Sequence, residues 1–184
     1  MPDNISGPRT NLVLIGMPGA GKSTLGVVLA KILGLEFEDT DLTIQNQCGK
    51  TLPVLIDEHG PEGFLQIEND ILKTVEASQT VISTGGSAVY STEAMEHLRS
   101  IGLIVYLRVA LDELEQRLGG LHERGVVMKE GMGMELSAIY DERIPLYEHY
   151  AELTIDVDGK TVRESASELT EKLRELQRAY VLGS

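Results

Sequence analysis

The stretch "LVLIGMPGAGKSTLGVVLA" (12–30) constrains this chain more than any other. An apolar run, a glycine-rich turn and a helical pattern follow one another without a gap. Gly16, Gly21, Lys22 and Ser23 fit G-x-x-x-x-G-K-[ST], which average residue usage would produce in only about one chain in a hundred of this length. Its position between an apolar strand pattern and a helix pattern is the context the motif requires. Glycines there let backbone N–H groups turn inward on phosphate oxygens, and the helix N-terminus adds partial positive charge. The nucleotide-binding set is Gly19, Ala20, Gly21, Lys22, Ser23 and Thr24. Lys22 is placed to reach β/γ-phosphates, and the Ser23 hydroxyl to ligate Mg²⁺. An ordinary glycine-rich turn leaves the Lys22-Ser23 pair unexplained.

Short apolar runs recur along the chain at 11–16, 35–39, 80–86, 103–109 and 152–157. Several are continuous in apolar character, as strands buried on both faces are. Helical patterns lie between and after them at about 23–33, 62–77, 91–100, 111–118, 134–149 and 161–180, the last opening with a capping box, Thr161 and Glu164. This alternation predicts an α/β fold with a five-stranded parallel sheet flanked by helices. With 184 residues the chain is expected to form a single P-loop domain, 1–184. Residues 41–60 predict short helices hinged at Gly49. Residues 119–134 carry five glycines and little periodicity, which suggests a mobile lid.

Sixteen basic against twenty-nine acidic residues give a formal charge of −13. Such a field repels nucleic acid and anionic membranes, so phosphate must be captured by locally placed donors. A single cysteine, Cys48, excludes an internal disulfide, and the four histidines lack metal-ligand spacing. No apolar run reaches membrane-spanning length, and the first residues lack a signal-peptide pattern, so a cytoplasmic protein is expected.

An N-K-x-D motif for reading guanine is absent, and the apolar runs "TVIST" and "LIVYL" end in Thr84-Gly85 and Arg108 where a Walker B aspartate would stand. The acidic pair close after a strand is instead Asp39 and Asp41 in "DTD". Carboxylates there would lie at the carboxyl edge of the sheet, where ligands of open α/β sheets bind. Alternatively, Asp41 merely caps the following helix.

Together the P-loop, "FEDTD", "GFLQIE", "STGG", "VYL", the arginine of "LEQRL", "HERGVV" and "RIPLY" run in an order and spacing that resemble the shikimate kinase family over about residues 11–157. The resemblance implies a P-loop NTPase fold like that of nucleoside monophosphate kinases. It adds a small substrate-binding helical subdomain at about 39–77 and an arginine-bearing lid at about 119–134. Carried over by position, Ser23 ligates Mg²⁺ and Asp39 holds that ion through water. Asp41 grips a substrate hydroxyl as candidate base, while Gly85, Gly86 and Arg143 bind substrate. Arg117 contacts the adenine side, and Arg124 closes on ATP. The catalytic set so implied is Lys22, Asp41 and Arg124. The enzyme would be a monomeric, ATP- and Mg²⁺-dependent kinase acting on a small hydroxylated metabolite.

Three positions depart from the family pattern. Leu65 stands where an arginine grips the substrate carboxylate, Ser87 replaces the third of three glycines, and Gly125 replaces the lid proline. Losing a charged hydrogen bond costs roughly 1.5–3 kcal/mol, or about ten- to a hundred-fold in carboxylate binding. Shikimate and another small hydroxy acid, amino acid or polyol such as homoserine therefore both stand as acceptors. Two further readings are a non-catalytic ATP-binding module and a nucleotide kinase.

Overall fold

The computed structural model describes residues 9–118 and 136–182. Five strands, β1 (Asn11–Ile15), β2 (Glu36–Asp39), β3 (Thr80–Ser83), β4 (Gly102–Arg108) and β5 (Leu153–Asp156), form one parallel sheet in the order β2-β3-β1-β4-β5. The helices are α1 (Lys22–Leu33), α2 (Thr40–Cys48), α3 (Leu52–Leu72), α4 (Thr92–Ile101), α5 (Leu111–Leu118), α6 (Leu136–Tyr150) and α7 (Val162–Leu182). The expected α/β architecture with five parallel strands is the one observed.

The first strand in sequence is the central strand in space. Val13 lies opposite Ile82 on one side and Ile104 on the other. All five residues of β1 are buried, which is why its sequence is an unbroken apolar run after Asn11. Asn11 itself is fully buried and fully used. Its amide donates to the carbonyls of Ala77 (2.8 Å) and Ile101 (2.9 Å), and its carbonyl accepts from Thr80 N (3.0 Å). One side chain thus ties the start of β1 to the segment before β3 and to the end of α4.

Right-handed crossovers decide where the helices go. From β1 the chain passes beyond β3 to β2 through α1, which packs with α7. From β3 it passes beyond β1 to β4 through α4, which packs with α3. The two connections run in opposite directions, so the loops leaving β1 and β3 diverge and open a crevice at the carboxyl edge of the sheet. Gly26 sets how closely α1 lies on β2, because a Cβ there would stand 2.6 Å from the Phe37 ring.

The edges differ from the expected strands. β2 is only half buried and carries Glu36, Glu38 and Asp39, charges suited to a sheet edge. The run expected at 80–86 is paired only to Ser83. Beyond it the Thr84 N–H and hydroxyl both donate to Leu14 O, and the chain turns away. Gly49 closes α2 in the left-handed region, as a hinge there predicts. The next short helix and the one expected at 62–77 join as α3, broken at Gly60 (φ 70°, ψ 171°) before Pro61 and ending at Leu72. Pro61 has no N–H to give the helix, and glycine takes the conformation that accommodates it. Ile44, Leu55, Phe64 and Ile71 form a small second core between α2 and α3, with half-buried Cys48 and Leu65 packed on it. The capping box at Thr161 and Glu164 is formed in both directions.

Candidate active site

The turn after β1 is shaped by three glycines at positive φ, Gly16 (145°), Gly19 (84°) and Gly21 (89°). Gly16 also passes close to β4, where a Cβ would meet Leu107 O at 2.7 Å. Gly21 precedes α1 and offers no side-chain cap, so the first N–H groups of that helix keep their donors for a ligand. Ala20 is buried beneath the turn, while Ser23 and Thr24 are exposed at its rim. Lys22 is buried, and its Nζ donates to Gly16 O (2.8 Å) and Met17 O (3.0 Å). Burial pulls its pKa down to about 8, against the opposing pull of Asp41.

Ser23 Oγ donates to Asp39 Oδ2 at 2.6 Å and lies 3.2 Å from Ser83 Oγ. The other Asp39 oxygen accepts from Asp41 N at 3.0 Å, so Asp39 is the cap of α2 and Asp41 is released from that role. Among the described residues no three His, Cys, Asp or Glu side chains gather into a metal cage. Two hydroxyls and one carboxylate are nevertheless the hard oxygen donors that Mg²⁺ takes when phosphates complete its shell, and the group fits that ion.

The two glycines after Thr84 bring the remaining groups together. They do not have positive φ, so their role is space. A Cβ on Gly85 would meet Glu68 Oε1 at 2.6 Å and Asp41 Oδ1 at 2.8 Å. A Cβ on Gly86 would meet Pro18 of the P-loop at 2.7 Å and Arg143 Nη1 at 3.0 Å. Tyr147 Oη donates to Gly86 O at 2.7 Å and fixes this turn against α6. Arg143 is 1 % exposed, donates from Nε to Tyr90 Oη (3.1 Å) and lies 5.1 Å over the Tyr90 ring. Asp41 is pushed above the ordinary aspartate range by burial and by the Asp39 charge, with Lys22 opposing. Burial likewise lifts Glu68 to about 7; the Ser87 hydroxyl pulls it back, Asp41 adds to the rise, and Arg143 and Lys22 oppose it.

Lys22, Ser23, Asp39, Asp41, Gly85, Gly86 and Arg143 therefore border one crevice. Leu65 lies on α3, half-buried against the second core. Arg117 on α5 pairs with Glu113 and reaches Gly19 O at 3.4 Å, which sets it beside the phosphate turn. Arg124 and Gly125, which stands for the lid proline, fall in 119–135, outside the described residues. Sequence reasoning missed Glu68, Ser83, Tyr90 and Tyr147. Glu68 had a readable signal, since it follows Leu65 by three residues in "GFLQIE" and so shares its helix face.

Residues 18–174 match the family model described as shikimate kinase. The shikimate kinase of Pseudomonas paraeruginosa is 36% identical over 167 residues, covering 90% of this chain and 97% of that protein. A structure of shikimate kinase from Acinetobacter baumannii in complex with shikimate superposes with a TM-score of 0.81 at 30% identity, covering 91% of this chain and 94% of that one. The Bacteroides thetaiotaomicron shikimate kinase structure gives 0.76 at 31% identity, covering 90% and 98%. A match this long, laid on the same fold, establishes that this chain belongs to the shikimate kinase family and is an ATP-dependent kinase acting on a small metabolite.

Proposed function

We propose that this enzyme transfers the γ-phosphoryl group of ATP to a hydroxyl of a small acceptor held between Asp41 and Arg143, shikimate or a related hydroxylated compound. One observation carries the reading. Two consecutive residues, Gly85 and Gly86, lack the Cβ that would collide with Asp41 on one side and with Pro18 of the phosphate turn and Arg143 on the other. Acceptor groups and phosphate groups thus meet within one turn of chain.

In this reading Lys22 leaves the carbonyls of Gly16 and Met17 for the β/γ-phosphate oxygens, and the N-terminus of α1 holds those phosphates. Asp41 orients the acceptor hydroxyl and takes its proton, a task suited to a carboxylate whose proton affinity is raised by burial. Arg143 faces an acceptor carboxylate. Ser23 and Asp39, with Ser83 beside them, are the residues that would hold Mg²⁺, which when bound neutralises phosphate charge. On the family resemblance, Arg117 borders the adenine and Arg124 closes over ATP from a lid that excludes water. The reading takes the enzyme to act as a monomer in the cytoplasm.

A coupled ADP-release assay with shikimate, homoserine and other hydroxylated metabolites tests this. Lys22→Ala and Asp41→Asn should each lower turnover by roughly 10²–10⁴-fold, with Asp41→Asn still binding ATP. Unchanged turnover in Asp41→Asn removes Asp41 from the chemistry.

A further inference from the structure

We propose that the acceptor carries a protonated amine and that Glu68 is the residue that selects it; this rests on the kinase activity proposed for the same site. Glu68 is 2 % exposed, and its Oε1 has no hydrogen-bond partner among the described residues. A buried carboxylate oxygen left without a donor is rare, because it has given up water and gained nothing in return. The oxygen converges with Asp41 Oδ1 on the bare α-carbon of Gly85, in the turn that also carries Gly86 beside Arg143 and the phosphate turn.

The protein's own cations are engaged elsewhere. Lys22 Nζ is held by two carbonyls of the phosphate turn, and Arg143 is held against Tyr90. Leu65, one helical turn before Glu68 on α3, is a hydrocarbon where an arginine would sit beside that carboxylate. Neither Asp41 nor Glu68 forms an ion pair with a described residue.

The chemistry that answers such a pair is an ammonium, which brings three donors and one positive charge. A hydroxyl would satisfy the orphaned oxygen but add no charge to the partial compensation that Arg143 and Lys22 give from a distance. A carboxylate would be repelled from this side of the crevice and welcome only against Arg143. The acceptor class is therefore a hydroxylated compound with an amine close to the hydroxyl that is phosphorylated.

Matched acceptors test this in the ADP-release assay at saturating ATP and Mg²⁺. The pairs are shikimate against its analogue with one ring hydroxyl replaced by an amine, 2,4-dihydroxybutyrate against homoserine, and glucose against glucosamine. The expected result is a kcat/KM at least about tenfold higher for the aminated member of one or more pairs, a ratio worth about 1.4 kcal/mol. Glu68→Gln should bring the two members of that pair together by raising KM for the amine. Leu65→Arg, which sets a cation against Glu68 from within, should abolish the amine preference and lower KM for the carboxylate-bearing acceptor. Thermal shift with ATP establishes that each variant is folded. Equal or better turnover of the unaminated member in every pair overturns the proposal and leaves the kinase intact, as does a Glu68→Gln enzyme that keeps the preference. Turnover of no acceptor by an ATP-binding protein removes the kinase reading and this proposal with it.

Discussion

Glu68 shows how a single residue trades stability for recognition. Its folded pKa of about 7 stands above the ordinary 4.5, so the native state holds a proton that the unfolded chain has released. Stability from this group is present at low pH and falls as pH rises from about 4.5 to about 7, beyond which the full penalty of the buried charge remains. Glu68→Gln does not titrate. The variant should match the wild type near pH 4.5 and melt roughly 7–14 °C higher above pH 7, given a rise of about 2.5 pKa units, about 1.4 kcal/mol per unit and about 2–4 °C per kcal/mol in a chain of this size. Thermal unfolding at a series of pH values reads the difference directly, and a constant gap across that range contradicts the assignment. The same scale marks how far sequence reading goes. Gly16, Gly21, Lys22 and Ser23 were legible because the phosphate turn is local in sequence. The convergence of Asp41 with Glu68 was not, because it depends on how α2 packs on α3 and on Gly85, remote in sequence, leaving room for both carboxylates.

Among the elements, those with strong periodicity were readable and some of their ends were not. The apolar runs of β1 and β4 were recognisable because both faces are buried. The break in α3 at Gly60 and Pro61 was legible, since both residues signal a stop; its early end at Leu72, short of residue 77, was not. Asn11 belongs to this scale too, because its three hydrogen bonds fasten three elements together. Asn11→Leu keeps the volume close and strips the bonds, leaving Thr80 N, Ala77 O and Ile101 O without their partner. The expected loss is roughly 2–4 kcal/mol, seen in urea as a lower midpoint with an unchanged slope. A loss below about 0.5 kcal/mol would mean that these three backbone groups find other partners.

For the whole molecule, the sheet order concentrates function at one edge. The divergent loops after β1 and β3 place the phosphate turn beside the acceptor groups, so a nucleotide seated there contacts the centre of the sheet. Binding of ATP with Mg²⁺ should therefore stabilise the entire fold. At a hundred times its Kd a ligand adds about 2.7 kcal/mol, a rise of roughly 5–10 °C for a chain of this length. Lys22→Ala should lose most of that rise. A wild-type melting temperature unmoved by millimolar ATP and Mg²⁺ would contradict the nucleotide site altogether. Against a net charge of −13, that affinity has to come from donors within the turn and not from the general field.

The central place of β1 has a consequence for the newborn protein. Of the five strands this one is made first, yet the strand on its far side is complete only when Arg108 has been added. At about 5–20 residues per second, translation leaves Leu12 to Ile15 without one flank for roughly 5–20 s. The ribosome thus releases the most water-averse part of the protein long before there is anywhere to put it, and safe passage through that interval depends on whatever shelters a growing chain.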